Sequence, residues 1–104
     1  MNIIPICDRC ETPDRCVKRF RLCAERAGLT VTLESYLKAV PGSTHLHLRP
    51  RDERSGTLEY TMAPTERRAW LSFHDNRERP WIAQSITLLL GCACPCSGAV
   101  DCVQ

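Results

Sequence analysis

The chain has 104 residues, 43% of them hydrophobic, and fourteen basic against twelve acidic side chains leave a net charge of +2. That length supports one domain with a modest core, and so mild a charge makes no electrostatic case for nucleic acid. What sets the composition apart is eight cysteines, at positions 7, 10, 16 and 23 and again at 92, 94, 96 and 102.

Asn2–Ile6 lacks the basic segment and long apolar run of a secretory signal. No apolar stretch approaches the ~20 residues that cross a bilayer. The expectation is a soluble cytoplasmic protein with no membrane partner. In that setting thiols stay reduced, and clustered cysteines bind metal or do chemistry.

In chain order, Ile3–Ile6 reads as a short strand. Thr12-Pro13-Asp14 then has the form of a helix start, with a hydroxyl at the N-cap, proline at N1 and an acid in the first turn. Cys16, Val17, Phe20, Cys23, Ala24 and Ala27 form one apolar stripe at i, i+3, i+4 spacing, and Gly28 ends the helix. Leu29–Leu33 alternates like a strand, while Leu33, Tyr36, Leu37 and Val40 suit a short helix that Pro41-Gly42 stops.

Three further strands are predicted, Thr44 to Arg49, Thr57 to Met62 and Arg68 to His74, separated by turn-rich segments. Pro80 opens a last helix that Gly91 is expected to close. The fold class is α+β: a small mixed or antiparallel sheet of three to five strands with two main helices. Residues 1–90 form the domain and residues 91–104 a Cys-rich C-terminal tail.

Cys7 and Cys10 form a C-x-x-C at the entrance to the first helix. This spacing suits zinc, and it equally suits a dithiol whose thiolate the helix N-terminus stabilises. Cys16 and Cys23 lie on the buried stripe and read as core thiols. Cys92, Cys94 and Cys96 alternate and would point to one side of an extended segment, a pattern of thiolate sites for Zn(II) or Cu(I), and Cys102 could fold back to join them.

Ile3-Ile4-Pro5-Ile6-Cys7-Asp8-Arg9-Cys10 as strand plus C-x-x-C, the helix to Ala27 and the strand Val31-Thr32-Leu33 follow in order. Gly56–Tyr60, Ala69–Leu71 and Pro80–Ile82 would supply a hairpin and closing helix. This order resembles the thioredoxin-like fold and, within it, the selenoprotein W-like (Rdx) family. The resemblance implies that Val31–Leu33 is the parallel partner of the first strand. It also implies Cys7 and Cys10 as a redox pair, the catalytic residues of a thiol–disulfide oxidoreductase.

Other side chains offer weaker signals. His45 and His47 share a strand face, and Trp70, Ser72 and His74 point away from the core on another strand. In a simple meander His74 would stand two strands from His45, about 9.6 Å away, too far to share a metal. The outward Trp70 face is a candidate docking place for a protein partner. Ala24–Thr30 is similar to the turn of helix-turn-helix proteins, but Thr32, Glu34, Ser35 and Lys38 are poor readers of base edges, so nucleic acid is not the expected partner. No nucleotide loop or hydrolase motif is present.

The resulting expectation is a small metal-binding protein for zinc or another thiophilic ion, with Cys7, Cys10, Cys92, Cys94, Cys96 and Cys102 as ligands. Two alternatives stay open: thiol–disulfide redox chemistry at Cys7 and Cys10, and a DNA- or partner-binding module stapled by its cysteines.

Overall fold

A computed structural model describes residues 2–6, 12–66, 68–75 and 79–93. Five strands and two helices follow in the order β1 (Asn2–Ile6), α1 (Pro13–Arg26), β2 (Leu29–Ser35), β3 (Thr44–Pro50), β4 (Leu58–Ala63), β5 (Arg68–Phe73) and α2 (Pro80–Ala93). They build one antiparallel sheet in the order β1-β5-β4-β3-β2. The predicted α+β class is what forms.

α1 begins where its cap chemistry requires. Thr12 Oγ1 accepts from the Arg15 amide at 3.2 Å, Pro13 fills N1 without wasting a donor, and Asp14 faces the positive helix end. Gly28, at φ 78°, makes the left-handed turn that aims the chain into β2.

β2 does not continue into a short helix. It runs as strand to Ser35, and a turn follows in which the Ser43 hydroxyl accepts from the Leu37 amide at 2.8 Å. A β-bulge between Val31 and Leu33 shifts the register. Val31 packs on the core, whereas Leu33 comes opposite His47 and is exposed. Simple alternation would have put both inside. Glu34 then falls on the helix side, where it pairs with Arg21 of α1 at 2.6 Å. The segment that would carry a reading helix in a helix-turn-helix is thus strand.

β1 and β2 lie at opposite edges of the sheet. β1 pairs with β5 and β2 with β3, both antiparallel, so Val31–Leu33 is not the parallel partner of the first strand. Pro5 is tolerated because β1 is an edge strand.

Both helices pack on one sheet face. Phe20 of α1 stacks on Tyr60 of β4 with ring centroids 3.8 Å apart. Around this pair gather Leu46, Leu48, Leu58, Leu71, Ile82 and Leu89, all fully buried. The Trp81 indole N–H donates to the Ser55 carbonyl at 3.2 Å, tying the start of α2 to the β3–β4 connection. Burial among these apolar side chains pushes the Tyr60 phenol well above its ordinary pKa.

Gly91 does not end α2. The helix runs to Ala93 and holds Cys92 against α1, where its sulfur bonds to that of Cys23 with the Cα atoms 5.7 Å apart. Cys16 is disulfide-bonded too. The two stripe cysteines are buried as expected, at 5% and 3% exposure, but they are bridge members rather than inert thiols.

Candidate metal centre on the sheet face opposite the helices

Strand alternation sends every second residue of β3, β4 and β5 away from the helices. The apolar residues Leu46, Leu48, Leu58, Tyr60, Met62 and Leu71 take the helix side. Their neighbours form two cross-strand rows on the other face. One row reads Leu33, His47, Glu59, Ser72, Ile3, and the next reads Ser35, His45, Thr61, Trp70, Pro5.

The centre of these rows is polar yet withdrawn from solvent. His45, Glu59, Thr61 and Ser72 are all buried, although no described helix covers them. Buried polar groups persist only when paired. Here the pairing is complete, since no buried side-chain nitrogen or oxygen among the described residues lacks a hydrogen-bond partner.

Three donor atoms converge. His45 Nε2 stands 3.1 Å from His47 Nε2 and 3.2 Å from Glu59 Oε1, and His47 Nε2 is 3.9 Å from the same oxygen. An ion bound at ~2.0–2.1 Å by tetrahedral nitrogen and oxygen ligands has ligand–ligand edges of roughly 3.3 Å. The three observed separations bracket that edge. Lone pairs this close repel unless a cation, proton or metal, lies between them.

The surroundings orient the three donors. His45 Nδ1 lies 2.8 Å from Thr61 Oγ1; as the protonated nitrogen it donates there and turns the Nε2 lone pair toward Glu59. His74, just past β5, places Nε2 at 3.6 Å from Glu59 Oε2 and so engages the carboxylate's second oxygen. The two imidazole rings of His45 and His47 meet edge to face, with centroids 5.0 Å apart.

The structure therefore brings together His45 and His47, which the sequence singled out, with Glu59, which it did not. β3, β4 and β5 do form a meander, and the predicted two-strand gap to His74 is real. Glu59, on the strand between, spans it. The signal was present in Leu58-Glu59-Tyr60-Thr61-Met62, whose alternation puts Glu59 and Thr61 on the histidine side.

Of the expected cysteine ligands, Cys92 needs correction. It sits on a helix, and its sulfur is bonded to Cys23, so it is not a thiolate donor on an extended segment. Cys7, Cys10, Cys94, Cys96 and Cys102 lie outside the described residues. Trp70 is half-buried, with the Arg68 guanidinium 5.6 Å from its ring centroid.

Compared with family models, curated proteins and solved structures, the chain matches none. No helix among the described residues is long and apolar enough to cross a membrane.

Proposed function

We propose that this protein is a small metal-binding domain whose ion, zinc by preference, is held by His45, His47 and Glu59 on the sheet face opposite the helices. The convergence of three donor atoms at tetrahedral edge lengths carries the reading. Two imidazoles and one carboxylate are a donor set suited to zinc and neighbouring divalent metals. The role, structural or metal handling, follows the expectation from the sequence. The ligands, however, are imidazole and carboxylate rather than thiolate.

The test is metal binding by chelator-treated protein, followed by calorimetry and elemental analysis. One zinc per chain is expected. Binding should fall at least ~100-fold in the His45→Ala/His47→Ala double variant and in Glu59→Gln, with folding checked by circular dichroism. Zinc binding that survives both variants, or none at all, would overturn the proposal. Binding that survives there but disappears on thiol alkylation would return the site to the cysteines.

The compartment follows the sulfur state. A cytoplasmic home goes with reduced thiols, whereas a closed Cys23–Cys92 bond goes with an oxidising one. A thiol count on protein taken from its native source separates them.

A further inference from the structure

The three donors leave a tetrahedral ion one position short. They rise from β3 and β4 on the same face, so the remaining vertex points away from the sheet, and both described helices lie on the other side. Glu59 supplies one oxygen only, because His74 engages Oε2 while Oε1 faces the imidazoles. Side-chain exposure rises from 11% for His45 and Glu59 to 31% for His47 and 48% for His74. Access to the vertex is therefore from the His47–His74 side.

That side also carries a fixed cation. Arg49 follows His47 by two residues on β3 and so shares its face. Its Nε donates to the Gly56 carbonyl at 3.0 Å and Nη2 to Thr57 Oγ1 at 3.5 Å, which holds the half-buried guanidinium at the same sheet end as His74. Nη1 makes no hydrogen bond among the described residues. A divalent ion with two neutral imidazoles and one carboxylate retains one positive charge, and Arg49 adds another, two residues along the same strand face. Such a field favours an anion.

We propose that the open coordination position takes a small oxyanion, a carboxylate or a phosphate, with one oxygen on the ion and another on the Arg49 guanidinium. This rests on the metal-binding reading and adds the class of ligand the ion receives.

The test uses the full chain loaded with cobalt(II), whose visible bands respond to a change of ligand, titrated separately with acetate and with inorganic phosphate. The expected result is a saturable spectral change with at least one anion, and the two arms tell carboxylate from phosphate. In Arg49→Gln that anion's affinity should drop about tenfold, as loss of a charge-assisted hydrogen bond implies, while cobalt affinity stays within about twofold. Arg49→Lys, which keeps the charge, should retain most of the affinity. Bound cobalt whose spectrum neither anion alters would overturn the proposal. Equal anion affinity in wild type and Arg49→Gln would remove Arg49 from the site. Failure to bind cobalt at all would instead strike the metal-binding reading beneath it.

Discussion

The two faces of the sheet differ in what holds them and in what they can do. The helix side is apolar, closed and cross-linked: Phe20 on Tyr60, a ring of buried leucines and the Cys23–Cys92 bridge between the helices. The other side is polar and only partly shaded, with imidazoles, a carboxylate and hydroxyls in two adjacent rows. Alternation in β3, β4 and β5 places the apolar core on one face and the candidate ligands on the other. A substitution on either face should then leave the other face nearly intact.

The largest test of that separation is Phe20→Ala. Removing a fully buried ring from its stack should cost about 3–5 kcal/mol in denaturant unfolding. Under conditions where the variant remains folded, zinc stoichiometry should be unchanged. A loss of the metal site in folded protein would show that the faces are coupled.

Opening the helix–helix bridge should cost somewhat less. Cys23 and Cys92 close a loop with a sequence separation of 69. Chain-entropy loss then gives an upper value of about 4 kcal/mol, with ~2–4 typical. Denaturant midpoints of wild type and a Cys23→Ser/Cys92→Ser variant measure this, and zinc affinity measured alongside should hold.

Thr61→Val attacks the other face. The hydroxyl that orients His45 disappears while shape is kept. Zinc affinity should fall about 10–100-fold, at a stability cost of only about 1 kcal/mol. Equal affinity in the two proteins would mean that Thr61 does not set the imidazole.

The smallest effect is alkaline. Tyr60 in the fold holds its proton to higher pH than in the unfolded chain. Above the unfolded value of about 10 the unfolded chain gives up the phenol proton while the native state keeps it, so stability falls as pH rises. The slope is at most about 1.4 kcal/mol per pH unit until the folded group also titrates. Comparing unfolding at pH 9 and pH 11 in wild type and Tyr60→Phe isolates this contribution, which the variant should lack.

Local chemistry made much of the fold readable. Thr12-Pro13 and Gly28 bracket α1, and the alternation in β3 and β5 placed His45, His47 and Leu71 on their proper faces. What escaped depends on distant pairing. The edge positions of β1 and β2, the bulge that turns Leu33 outward and the extension of α2 through Gly91 to reach Cys23 all depend on partners far along the chain. The candidate metal site was half readable for the same reason. Two histidines on one strand announce themselves locally, but Glu59 joins them only once β4 is known to lie between β3 and β5. The cysteines drew attention by number, and the one pair whose partners are defined staples the helices on the face away from the histidines.

The central claim is that imidazole and carboxylate, not thiolate, hold the ion. X-ray absorption at the zinc edge of the reloaded protein reads the ligand atoms directly. The account requires a nitrogen/oxygen shell at about 2.0–2.1 Å with an imidazole pattern beyond it, and a sulfur shell at about 2.3 Å would contradict it.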